Sequence, residues 1–254
     1  MTPLERNRLL SVLNTNGFHA EVPTLENWVA ADATFAPGRC YLTVRQQTDD
    51  YFAATSLDRV AGALAGEGCP LETCDTPPPA IAMGTFHATG DASLHRLVRR
   101  MYQLSLALPT APLDRFVAMT RAMPTTTEAE KLVIQRVGQD IFRNALLEYW
   151  SGCCAVTGID QPELLRASHC KPWAESNDSE RLDVHNGLVL VADVDAAFDC
   201  GLISFDDLGA VISSERLGAA ARSRFGDLHI RAPALLTGEH RAFLRWHRQH
   251  RFEG

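Results

Sequence analysis

The clearest apolar rhythm in the chain runs through Ile134, Val137, Ile141, Ala145 and Tyr149, at helical spacing. Thr127 and Glu130 precede it with the spacing of a capping box, in which hydroxyl and carboxylate each satisfy an orphan backbone N–H. Together they predict a helix from about Thr127 to Trp150. The Pro/Thr stretch just before it, Met123 to Thr127, predicts a domain boundary there. Ahead of that boundary the pattern is a weaker α+β mixture: helices near 4–13, 57–64 and 94–106, with strands near 41–45 and 81–86. Three consecutive prolines, Pro77 to Pro79, make 74–79 an extended loop, because proline forbids both helix and interior strand.

Past the long helix the pattern shortens. A strand around His169 is stopped by Lys171, Pro172 and Trp173, and the loop 174–181 is rich in turn formers. Gly187 to Val191 reads as a short apolar strand. Asp193 is placed to cap a short helix that stops at Gly201, where glycine takes the left-handed C-terminal position. Near the end of the chain Arg241, Arg245 and Arg248 share one helical face, opposite Phe243 and Trp246.

Composition narrows the class. The 254 residues are 46% hydrophobic and 22% charged, which fits a folded protein rather than a disordered or low-complexity one. With neither an apolar signal core nor a run of about eighteen apolar residues, a cytoplasmic protein is expected. An odd number of cysteines, seven, argues for free thiols rather than a disulfide framework. They lack the Cys-x-x-Cys spacing of a structural zinc site, so zinc is not expected. The net charge is −7, with neither half basic, so contact with nucleic acid has to come from local arginine clusters. Lys131 and Lys171 are the only lysines, and arginine is the better bidentate phosphate partner.

Candidate chemistry gathers in 153–206. Asp195 and Asp199 are one turn apart on the short helix, so both can face one hard cation, magnesium or manganese. Asp195 could merely complement the positive helix N-terminus, whereas Asp199 sits against the dipole and asks for a partner. His169, left at a strand end, can take a proton from water, with its titration expected near pH 6–7. Arg136, Gln139 and Arg143 lie on one face of the long helix. They and the Arg241 row could straddle a phosphate backbone; otherwise the first row serves in salt bridges to acidic neighbours and the Arg241 row complements the helix C-terminus.

Three segments, Ala167-Ser-His169-Cys-Lys171-Pro-Trp173, Asn186-Gly-Leu-Val-Leu190 and Asp195-Ala-Ala-Phe-Asp199-Cys-Gly201-Leu-Ile-Ser-Phe-Asp206, resemble the HNH endonucleases with a ββα-metal site, particularly their restriction-type branch. Arg136 to Arg143 and Cys154 to Gly158 resemble that branch's lead-in, so the resemblance covers about 125–220. It implies a C-terminal ββα-metal nuclease domain over 124–254; joined to the pattern ahead of the boundary, which it does not cover, the expected fold is α+β with a smaller α+β module over 1–123. The latter would be a DNA or modification reader. It implies a metal-dependent endonuclease acting on double-stranded DNA in restriction or defence. A homodimer would be needed if both strands are cut. His169 is then the general base, Asn186 holds the loop or the metal, and Asp195 with Asp199 binds magnesium or manganese. Arg136, Gln139, Arg143, Lys171, Arg241 and Arg245 are the candidate contacts to nucleic acid. The chain departs from the pattern at Ser168, where many HNH proteins carry Asp, and at Asp195, which replaces the final His. These departures also allow a catalytically silent nucleic-acid-binding protein. Without zinc clamps, the core is expected to pack around Trp150, Trp173, Phe198 and Phe205.

Overall fold

The computed structural model describes residues 1–23, 27–45, 48–69, 71–108, 111–232 and 235–254. The chain divides into two compact units, Met1–Leu106 and Ala107–Gly254. The stretch 123–127 lies inside the second unit, between two helices that pack on one another. The compact division therefore falls nearer the amino terminus than the Pro/Thr signal suggests.

The first unit runs α1 (Pro3–Thr15), β1 (Phe18–Val22), β2 (Val29–Ala33), β3 (Arg39–Val44), β4 (Asp50–Thr55), α2 (Asp58–Gly66), β5 (Gly84–Thr89) and α3 (Asp91–Ala107). The strands form an antiparallel meander in sequence order. One face is packed by helices; the Cys40 thiol, for instance, meets Met101 of α3. The other carries Trp28, Ala30, Tyr41, Phe52 and Ala54, with Cys74 and Ala82 packed against them. The proline loop covers that face, and Pro77 accepts a hydrogen bond from the Trp28 indole at 3.1 Å. With both faces covered, β3 and β4 are buried along nearly their whole length. β4 loses in this way the apolar/polar alternation that reveals a strand and was not among the expected elements, nor were β1, which is mostly exposed, and β2, whereas β3 matches the strand expected near 41–45.

The second unit runs α4 (Ala111–Thr120), α5 (Glu128–Tyr149), β6 (Leu165–His169), α6 (Asp178–Arg181), β7 (Gly187–Val191), α7 (Ala192–Asp199), β8 (Ile203–Phe205), β9 (Val211–Ser213), α8 (Ala219–Phe225) and α9 (Gly238–His250). Both halves of the capping box form: Glu130 N–H donates to Thr127 Oγ1 at 3.2 Å and Thr127 N–H to Glu130 Oε2 at 2.8 Å. β6 and β7 pair antiparallel with His169 opposite Gly187, and α7 packs on both. That is a strand, loop, strand, helix unit, closed on its other side by α5. Gly201 has φ +70° and ends α7 with paired bonds, Leu202 N–H to the Ala197 carbonyl and Gly201 N–H to that of Phe198.

Two expectations change. α7 starts at Ala192 after Val191, whose side chain provides no cap. Asp193 therefore lies inside the first turn, in an ion pair with Arg224 at 2.8 Å. Trp150, Phe198 and Phe205 are in the core, but Trp173 is only half-buried because it lines a cleft.

Candidate active site

Strand β6 presents its side chains to two neighbours. His169 stacks on Phe142 of α5, ring centroids 3.8 Å apart, and meets Trp173 edge-on. Ser168 and Arg166 alternate with it and face Asp195 on α7. Gly187 makes the stack possible, since a Cβ there would press on both the Phe142 ring and the Ser168 carbonyl. His169, Asp195 and Asp199 line one cleft of about 340 Å³, with Arg166, Ser168, Trp173 and Arg251 also in its wall.

The tautomer of His169 follows from its partner. Nε2 lies 3.0 Å from the Arg181 carbonyl. A carbonyl only accepts, so Nε2 carries the proton and Nδ1 keeps its lone pair. Burial pushes the imidazole pKa down to about 4, against a smaller upward pull from the same carbonyl. The expected titration near pH 6–7 therefore moves to about pH 4, because the ring is packed between aromatics rather than exposed at a strand end.

Asp195 and Asp199 are both held above the ordinary carboxylate range, first by partial desolvation. Their mutual repulsion raises Asp199 further, while Ser168 and Arg166 temper Asp195 and Arg251 tempers Asp199. Among the described residues neither carboxylate has an ion-pair partner. Ser168 Oγ is buried without a well-formed hydrogen bond. Two adjacent carboxylates carrying excess negative charge suit a divalent cation, and magnesium is commonly held by one or two carboxylates with water and substrate phosphate completing its shell. No cluster of three or more His, Cys, Asp or Glu able to hold a metal is present among the described residues, so the protein's own share of such a site is this pair.

Asn186 is fully buried. Its Oδ1 accepts from Lys171 N–H at 2.8 Å, and its Nδ2 donates to the carbonyls of Lys171 at 3.1 Å and Glu180 at 3.0 Å. These bonds tie both ends of the 171–180 loop together, and Asn186 is not among the residues lining the cleft.

Residues 154–206 match the HNH endonuclease family. This stretch is an HNH endonuclease segment. The match contains β6, β7 and α7, hence His169, Asn186, Asp195 and Asp199, and lies wholly within the second unit. No curated protein matches the chain. No helix among the described residues is long and apolar enough to cross a membrane.

Most of the basic candidates around the HNH segment are already engaged. Arg143 donates to the carbonyls of Leu165 at 3.0 Å and Pro162 at 3.1 Å, bracing the approach to β6. Lys171 pairs with Glu180 at 2.8 Å. Arg241 donates to the Asp207 carbonyl at 3.0 Å, while Arg245 and Arg248 pair with the Asp207 carboxylate. The row on α9 thus clamps the turn between β8 and β9 through Asp207, rather than only complementing its own helix end. Arg136 is exposed and Gln139 half-buried on α5, neither lining the cleft. Sequence reasoning passed over Arg166 and Arg251. Alternation from Ser168 would have found Arg166, but nothing local marks Arg251, which reaches the cleft from the far end of α9.

Proposed function

We propose that this cleft is the catalytic centre of a metal-dependent endonuclease that hydrolyses phosphodiester bonds in double-stranded DNA. The reading rests on one observation above all: an imidazole fixed with its Nδ1 lone pair free lines the same small cleft as two carboxylates of elevated pKa. His169 is the general base, accepting the proton of the attacking water at Nδ1. The Arg181 carbonyl, hydrogen-bonded to Nε2–H, stabilises the imidazolium that results. Asp195 and Asp199 hold Mg²⁺ or Mn²⁺, which when bound offsets charge on the phosphorane and the leaving oxygen. Asn186 is a positioning residue that fixes the loop carrying Arg181 and Trp173.

In this reading the first unit, centred on its five-stranded sheet, is a DNA or modification reader, and the protein serves restriction or defence. One such centre cuts one strand, so a double-strand break calls for a homodimer. Supercoiled plasmid incubated with Mg²⁺ or Mn²⁺, with and without EDTA, tests the proposal. Metal-dependent conversion to open-circular or linear DNA is the expected result. A gel shift with no cleavage under either metal would instead identify a silent nucleic-acid-binding protein.

A further inference from the structure

We infer that Arg251 binds a phosphodiester oxygen of the DNA entering the His169 cleft, so that the end of α9 completes a site otherwise built from β6 and α7. The inference rests on the nuclease reading above.

A phosphate approaching Asp195 and Asp199 meets negative charge and needs cationic groups beside them. The cleft wall contains two, Arg166 and Arg251. Arg166 is tethered through Nη1 to the carbonyls of Glu163 at 3.0 Å and Leu165 at 2.9 Å. Arg251 is exposed and makes a single long bond, 3.4 Å to the Asp199 carbonyl, with no carboxylate at ion-pair distance among the described residues. Its guanidinium therefore keeps most of its donor capacity, unlike those of Arg143, Arg181, Arg241, Arg245 and Arg248.

The backbone that delivers Arg251 is fastened. Its N–H caps α9 on the His247 carbonyl at 2.9 Å, and Glu253 N–H donates to the Gly201 carbonyl at 2.9 Å. Ser214 Oγ donates to the Glu253 carbonyl, and Arg216 pairs with the Glu253 carboxylate. Gly201 is required for more than its φ: a Cβ there would collide with the Arg251 carbonyl. The bland alternative is that Arg251 only complements the negative C-terminal end of α7. That role would leave DNA affinity and its salt dependence untouched.

The test is fluorescence anisotropy of a labelled DNA duplex in EDTA, across a salt series, with wild type, Arg251→Ala and Arg251→Lys. Loss of a phosphate contact predicts about 5- to 30-fold weaker binding for Arg251→Ala and a log–log salt slope shallower by about 1. Arg251→Lys keeps the slope and recovers part of the affinity, because it retains the charge without the fork. Wild-type affinity and slope in Arg251→Ala would overturn the inference. So would a melting temperature that drops while the slope stays put. A wild type that binds DNA yet cuts with neither metal removes the nuclease reading and leaves Arg251 judged by its slope; one that binds no DNA removes both.

Discussion

Replacing His169 by alanine removes a base and a packed ring together, and the structure allows the two losses to be separated. The Nε2–H bond to the Arg181 carbonyl is worth about 1 kcal/mol, and the stack on Phe142 about as much again. The space left by the imidazole between Phe142 and Trp173 adds about 1 kcal/mol. The sum, about 3 kcal/mol, lowers Tm by about 10 °C in a chain of this size. An unchanged Tm is therefore not expected of this variant. Phe142→Leu is the control: it breaks the same stack at about 1–2 kcal/mol but leaves both imidazole nitrogens in place. Plasmid nicking is assayed at 25 °C, after circular dichroism has shown each variant folded there. His169→Ala should lose cleavage by about 10²-fold or more, whereas Phe142→Leu should stay within about tenfold of wild type. Cleavage by His169→Ala within a few-fold of wild type would refute His169 as the base. An equal loss in Phe142→Leu would show that packing of the strand end, and not proton transfer, limits the reaction.

Asp195→Asn should abolish cleavage without lowering Tm, since it relieves repulsion with Asp199; full activity at saturating Mg²⁺ or Mn²⁺ would exclude the carboxylate pair as the metal site. His169 and His247 are each pushed down to about 4, mainly by burial, so the unfolded chain takes up their protons from about pH 6.5 downward while the folded chain does so only near pH 4. Their stabilisation is therefore complete above pH 6.5 and fades on acidification, by about 2 kcal/mol per histidine between pH 7 and pH 5. Asp195 and Asp199 work the opposite way: their carboxyls are raised, first by desolvation and for Asp199 also by Asp195, so protonating them in acid relieves a cost of the folded state. Urea midpoints that hold constant from pH 7 to pH 5 would contradict the burial of those rings. The fragment 107–254, expressed alone, should unfold cooperatively with the Tm of the second unit in the whole chain; a fragment without a thermal transition would show that the two units fold only together.

Local signals carried the elements that specify themselves. Thr127 and Glu130 announced α5 because a capping box is satisfied within one turn of chain. Gly201 announced the end of α7 because only the local backbone decides a left-handed residue. The motifs around His169, Asn186, Asp195 and Asp199 were legible for the same reason, being short segments whose order alone identifies the HNH unit. Tertiary structure decided the rest. Burial on both faces erased the alternation of β4, while β3, buried to a similar extent, was still legible from its apolar run. Packing of α4 on α5 placed the compact division ahead of the Pro/Thr stretch. Enclosure between Phe142 and Trp173 set the basicity of His169, and Asp207, far along the chain, took up the arginines of α9 that looked available for phosphate. Residues near in sequence specify caps and turns, whereas desolvation and charge pairing depend on neighbours supplied from elsewhere in the chain, as Arg251 is to Asp199.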